Sequence, residues 1–305
     1  MLKYPEKTKS LNFNKTIASS SLPRPETELL LTFLLNKNRE FLLTHPETEI
    51  NQTIYKKFKI LEAKRLKNWP LAYLTGHKEF YGLDFKVSSA TLVPRPETEM
   101  IAEKVIVLIK SEDTAELPET APRRYRPFII DLGTGSGAII IALTKELKHL
   151  MPTIYRRAQF SAVDISHSAL KIAARNVKIH KLEKKIKFYR GDLLTPLKLN
   201  NQPQDLIIAA NLPYLTLKQI KESPTISREP KLALHGGRDG LKYYRRLFQQ
   251  LKRITYRSAT IFCEIDPGQT KKITALAARY FPAANSRLAK DYSGQNRLFI
   301  IKIRP

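Results

Sequence analysis

Residues Asn211-Leu212-Pro213-Tyr214 stand at the end of the apolar run 205–211. They set an amide, a backbone carbonyl, a rigid proline and an aromatic ring side by side. This set suits the methylation of a planar, weakly nucleophilic nitrogen, whose delocalised lone pair must be aimed at an electrophilic carbon. The Asn211 side-chain oxygen and the Leu212 carbonyl can each accept an N–H from such a nitrogen. Pro213 stiffens the segment by fixing φ. Tyr214 offers a flat face worth about 0.5–1.5 kcal/mol against a planar group. A site of this kind works mainly by holding its reactants in register and excluding water.

A second constellation precedes it. Asp131-Leu132-Gly133-Thr134-Gly135-Ser136-Gly137 stands between an apolar run and a helical pattern. Glycines there let the chain turn sharply, and the following helix offers free N–H groups to a ligand. No Lys-Ser/Thr pair follows the last glycine, which excludes a P-loop. A dinucleotide, a phosphate or S-adenosylmethionine remains compatible with the loop alone. Asp164 ends the next apolar run, where a carboxylate can accept both hydroxyls of an adenosine ribose. Dinucleotide enzymes use the same contact, and capping of the helix near Ser166 is the purely structural alternative.

The elements that must position these residues alternate. Apolar runs at 127–131, 160–164, 186–192, 205–211, 259–266 and 296–303 are separated by helical patterns at about 136–148, 166–180, 239–255 and 267–281. Such alternation predicts an α/β fold with a doubly wound, mostly parallel sheet, whose ligands lie at the carboxyl ends of the strands. Asp131, Asp164, Asp192 and Asn211 would then meet on one rim. Upstream, residues 1–20 read as a flexible polar N-terminus and 21–78 as a small helical domain. Its helices are expected over 25–43 and 47–68, the second with an apolar stripe of Ile50, Ile54, Phe58 and Leu61. Residues 79–93 read as a β-hairpin linker, 94–305 as the catalytic domain and 111–126 as a surface loop. The motif PRPETE occurs at 23–28 and 94–99 without a continuing period.

The chain of 305 residues is 42% hydrophobic and 27% charged, which excludes a mainly disordered or fibrous protein. No apolar run has the length of a membrane span, and the first twenty residues lack the apolar core of a secretory signal. The one cysteine, Cys263, lies inside an apolar run, and the six histidines are scattered without ligand spacing. A disulfide framework and a metal site are therefore not expected. The expectation is a cytoplasmic monomer, with a mitochondrial destination as the lesser alternative. Fifty-three Lys and Arg against 28 Asp and Glu give +25. Nucleic acid or a ribosome-associated partner would suit that charge. A Lys-rich proteome would produce it equally well.

Together these motifs resemble the release-factor glutamine methyltransferases of the PrmC/HemK family from about residue 25 onward. The likeness is carried by Pro70-Leu71-Ala72-Tyr73-Leu74-Thr75-Gly76, Lys78-Glu79-Phe80-Tyr81-Gly82 and Leu92-Val93-Pro94-Arg95-Pro96-Glu97-Thr98-Glu99. Glu229-Pro230, Gly236-Gly237-Arg238-Asp239-Gly240-Leu241 and Asp291-Tyr292-Ser293-Gly294 with Arg297 extend it. The resemblance implies a class I S-adenosylmethionine-dependent methyltransferase with a seven-stranded sheet, a helical N-terminal domain and a hairpin linker. It implies N5-methylation of the glutamine in the Gly-Gly-Gln motif of class I peptide chain release factors, with S-adenosylhomocysteine as product and no metal. Carried onto this chain, cofactor contacts fall at Gly133, Thr134, Gly135, Ser136, Gly137, Asp164, Asp192, Leu193 and Asn211. The substrate amide falls on Asn211, Leu212, Pro213 and Tyr214, with Asn211, Pro213 and Tyr214 as the catalytic set. Arg95 and Glu97 are expected to shape the cofactor pocket and the hairpin junction.

Two positions depart from the family pattern. Leu212 replaces a proline but keeps the backbone carbonyl that the contact uses, and Asp266 stands where glycine is usual and can cap the next helix. Asn-Leu-Pro-Tyr is also similar to the motif of rRNA adenine N6-dimethyltransferases, the alternative that an RNA-seeking charge would suit. Against it stand about 130 residues ahead of Gly133, the PRPETE block, and a chain that closes on a strand.

Overall fold

The computed structural model describes residues 11–113, 126–199 and 204–304. The chain divides into two compact units, Met1–Gly76 and His77–Pro305.

The first unit is helical: α1 (Phe13–Ser19), α2 (Arg24–Leu35), α3 (Arg39–Thr44), α4 (Gln52–Leu66) and α5 (Leu71–Thr75). Asn12, Asn38 and Asn51 cap α1, α3 and α4, each side-chain oxygen accepting a backbone N–H three residues on. The core holds Phe13, Leu30, Leu31, Leu42, Ile50 and Phe58. Two expectations are corrected here. Residues 13–19 are not a frayed terminus, because the Asn12 cap starts a helix that buries Phe13; residues 1–10 lie outside the described residues. The helix expected over 25–43 is two helices, because Asn36 enters the left-handed region at φ 51° and ends α2.

The second unit opens with a hairpin, β1 (His77–Phe80) and β2 (Leu83–Lys86), followed by α6 (Glu99–Asp113). Tyr81 and Gly82 both have positive φ, at 54° and 67°, the conformation of a two-residue turn that matches strand twist. The hairpin is thus shorter than 79–93 and begins earlier, and residues 87–93 run on as an irregular strap. Phe80 and Phe85 are buried in the core of this unit with Ile101, Val105 and Ile106 of α6.

Then come β3 (Pro127–Leu132), α7 (Ala138–Leu150), α8 (Pro152–Arg157), β4 (Gln159–Asp164), α9 (His167–Ile179), β5 (Ile186–Arg190) and β6 (Asp205–Ala210). After these follow α10 (Leu217–Glu222), α11 (Lys231–Leu234), α12 (Lys242–Leu251), β7 (Ser258–Glu264), α13 (Thr270–Tyr280), β8 (Asn285–Lys290) and β9 (Asn296–Ile303). The seven-stranded sheet has the order β5-β4-β3-β6-β7-β9-β8, parallel except where β9 meets β7 and β8. Every residue of β3 is buried, as a central strand covered on both faces requires. Its side chains alternate. Ile129 packs with Ile140, Leu143 and Phe262 on one face, and Ile130 and Leu132 with Tyr244, Phe248 and Leu251 on the other. Cys263 is buried in β7, in the second of these cores. The loop expected at 111–126 falls mostly outside the described residues, and 111–113 end α6.

Candidate active site

The sheet changes winding direction beside β3, which pairs with β4 on one side and β6 on the other. A cleft opens there at the carboxyl ends of β3, β4, β5 and β6. The turn after β3 bends back because the Gly133 and Thr134 amides both donate to the Val163 carbonyl, at 2.9 and 3.0 Å. Gly133 has φ 70°, and a Cβ there would come within 3.3 Å of Leu212 Cδ2, so only glycine keeps this floor open. The Asp164 carboxylate accepts Gly135 N–H at 2.9 Å and Ser166 N–H at 2.8 Å, one on each oxygen. Lone pairs remain on both oxygens for a ligand hydroxyl. Burial raises its pKa, against the pull of these N–H donors. Ser166, rather than Asp164, caps α9.

Asp131 does not reach the rim. β3 continues one residue past it, and its side chain is sealed beneath the glycine turn, where one oxygen accepts the Thr134 hydroxyl at 2.7 Å. Among the described residues the other oxygen has no hydrogen-bond partner, and burial pushes the group up to about 7.

Beyond β5, Asp192 and Leu193 line the cleft. Arg246 Nη1 on α12 donates to both Asp192 oxygens at 3.1 Å, and Gln250 Nε2 reaches Oδ2 at 3.3 Å. Leu193 is held at φ 52°, a left-handed conformation that costs a branched residue about 1–2 kcal/mol. Outliers of this kind cluster at ligand contacts.

At the end of β6, Asn211 Nδ2 donates to Thr98 Oγ1 at 2.9 Å. Thr98 in turn donates to Glu264 Oε2 at 2.5 Å, and the Tyr214 hydroxyl donates to Glu264 Oε1 at 3.0 Å. Glu264 is fully buried at the end of β7. Burial raises its pKa, while the two hydroxyls and nearby Arg297 pull the other way. The Tyr214 phenol is raised well above its ordinary value by burial and by the Glu264 charge. Behind this loop, Gln269 Nε2 donates to the Tyr214 carbonyl at 2.8 Å, and Asp266 caps the turn that presents Gln269.

The opposite wall is the strap after β2, with Thr91, Leu92 and Pro94, facing Pro230, Leu232 and Ala233. Glu229 pins the two together: its carboxylate accepts Val93 N–H at 2.9 Å and pairs with Arg95. Glu97, by contrast, is exposed, and the hairpin junction is held instead by Glu99, which accepts Tyr81 N–H at 2.9 Å.

The cleft therefore gathers Gly133, Thr134, Gly135, Ser136, Asp164, Asp192, Leu193, Asn211, Leu212 and Pro213. Gly137 and Tyr214 are not among its lining residues. Gly137 sits behind the turn at φ 82°, where a Cβ would meet Ala173 Cβ of α9 at 3.3 Å. Tyr214 is half-buried against the second core, with its hydroxyl bonded to Glu264. Sequence reasoning missed the roles of Thr98, Glu229, Arg246 and Glu264. Thr98 and Glu229 lay within noted motifs, but only tertiary contact joins Thr98 to Glu264, 166 residues apart. Among the described residues no cluster of His, Cys, Asp or Glu could hold a metal ion, and no helix is long and apolar enough to cross a membrane.

Comparison with known proteins adds three findings. Residues 14–76 match a family model described as the PrmC N-terminal domain, and residues 128–274 match one described as a methyltransferase domain. A release factor glutamine methyltransferase of Bacillus anthracis is 33% identical over 278 residues, 90% of this chain and 91% of its own length. One of Coxiella burnetii is 32% identical over 303 residues, 99% of each chain. Among solved structures, the catalytic domain of human METTL16 with a MAT2A 3′UTR hairpin aligns at a TM-score of 0.52 and 13% identity. The alignment covers 90% of each chain, a likeness of fold.

Proposed function

The chain belongs to the release factor glutamine methyltransferase family, and from that premise we propose how its cleft performs the reaction. The reaction moves the methyl group of S-adenosylmethionine to the side-chain amide nitrogen of the glutamine in the Gly-Gly-Gln motif of a class I peptide chain release factor. Supplied in the cleft, S-adenosylmethionine contributes a sulfonium-bound, electrophilic methyl group. The residues present fit it: an open glycine floor at Gly133, free lone pairs on Asp164 for ribose hydroxyls, and a strained Leu193 backbone beside the clamped Asp192.

The observation that carries the reading is the set of acceptors at the end of β6. Asn211 lines the cleft with its Nδ2 tied to Thr98, which leaves its side-chain oxygen as one acceptor, and the carbonyl of neighbouring Leu212 would be the second for the two N–H bonds of a primary amide. Held through both hydrogens, the nitrogen keeps its lone-pair axis in one direction. Once alkylated, such a nitrogen releases a proton readily, so the site needs acceptors and no strong base. Pro213 fixes the loop, and Gln269 ties down the Tyr214 carbonyl behind it. Leu212 in place of the usual proline is buried against the glycine turn, so packing supplies the rigidity that the ring would give. The relatives, matched over nine-tenths of their length, give the RNA adenine reading no support.

The test is methyl transfer to a purified release factor, with the modified residue located by mass spectrometry. One methyl on the Gly-Gly-Gln glutamine is expected, and no transfer to that residue would contradict the proposal.

A further inference from the structure

A side-chain amide can face its substrate with either end, and oxygen or nitrogen forward gives opposite specificities. The hydrogen-bond relay behind Asn211 favours one end. Glu264 is fully buried with one hydroxyl on each oxygen, and in the charged form that those hydroxyls and Arg297 favour it can only accept. Thr98 Oγ1 has one hydrogen, and at 2.5 Å from Glu264 Oε2 that hydrogen is committed to the carboxylate. Toward Asn211 the hydroxyl therefore offers only a lone pair, and the group 2.9 Å away must be the Nδ2 donor. The reversed amide would set two oxygens lone pair to lone pair. Oδ1 is left without a partner among the described residues, on a side chain that lines the cleft.

We propose that Thr98 and Glu264 are positioning residues that polarise Asn211 oxygen-forward and so make the cleft select a primary amide over a carboxylate of the same shape. This rests on the amide-methylating reading given above. A glutamine offers two N–H bonds to Asn211 Oδ1 and the Leu212 carbonyl. A glutamate in the same place offers only lone pairs to those two acceptors, with the Glu264 charge behind them. Sites built to hydrogen-bond a substrate N–H reject the analogue lacking it by about 10⁴-fold. The same carboxylate also holds the Tyr214 hydroxyl, so one buried charge braces both ends of the Asn211–Tyr214 segment. A plain structural tie between β7 and the turn before α6 would leave the orientation of Asn211 to chance.

The test is a mutant cycle read by kinetics and by the Asn211 amide itself. T98S keeps the relay and is expected to retain turnover on a release factor within about threefold. T98V is expected to lose about 100-fold in kcat, as a misaimed reacting group does, with little change in KM for the release factor. In an N211A background T98V should cost nothing further, since its effect runs through Asn211. T98A makes the same comparison if T98V does not fold.

Independently of activity, ¹⁵N labelling of asparagine should show one Asn211 side-chain proton exchanging about tenfold more slowly in the wild type and T98S than in T98V. Equal losses from T98V in both backgrounds, or T98S as impaired as T98V, would overturn the proposal. So would an Asn211 amide indifferent to Thr98. If the wild type leaves the release factor unmethylated while the amide behaves as expected, the family reading fails at this chain and the relay stands.

Discussion

Asn211 can serve a substrate amide only while its oxygen faces forward, so its chemistry depends on atoms it does not share with the substrate. Asn211→Ala removes one of two acceptors and is expected to lower kcat by about 100-fold or more without lowering thermal stability appreciably, measured by single-turnover transfer and a melting curve. Asp131 gives the second residue-scale prediction. Burial lifts its native pKa from 3.8 to about 7. Between those values the native state keeps a proton that the unfolded chain has lost. The stabilising contribution is therefore fully present below about pH 4 and is lost as pH rises through about 7, a change on the order of 4 kcal/mol. In Asp131→Asn that slope should vanish, so urea denaturation at pH 5 and pH 8 should give a smaller stability difference than in the wild type. An unchanged difference would contradict the assignment.

Elements place these residues through close approaches that the sequence marks only with glycines and acids. A Cβ on Gly240, at φ 74°, would run into the Gln269 amide and the Tyr214 carbonyl, separating the bond that holds the Asn211–Tyr214 loop. Gly240→Ala is expected to cost about 2–4 kcal/mol in urea denaturation and to impair transfer as well. Glu229 joins the strap after β2 to the segment before α11. Glu229→Ala leaves the buried Val93 N–H unsatisfied, which costs about 1–3 kcal/mol. It should also loosen both walls of the cleft, seen as weaker S-adenosylhomocysteine binding by calorimetry. At this scale the sequence was legible where local chemistry governs. Alternating apolar runs gave six strands in place, and the glycine turn and Asp164 stand where their spacing set them. The strand β8, Asn285–Lys290, was missed because an edge strand with mostly polar residues has no buried face to announce it. Asp131 was misjudged by one residue of strand length. The bond from the Tyr214 hydroxyl to Glu264 was not legible, because a carboxylate 50 residues away leaves no local signal.

At the scale of the whole molecule, the resemblance set out the sheet and the helical first unit together, and the relatives span the same extent of chain. What neither periodicity nor motif could supply is the relay through Thr98 and Glu264, because it exists only once the turn before α6 and the ends of β6 and β7 are brought side by side. The net charge of +25 suits RNA as readily as a protein substrate, so one experiment should offer both. The most direct measurement presents labelled S-adenosylmethionine with a class I release factor and with naked ribosomal RNA in parallel, Asn211→Ala serving as control. The account predicts a single methyl on the glutamine of the Gly-Gly-Gln motif, lost in the variant, and none on RNA. Label in RNA adenine with an unmodified release factor would contradict it.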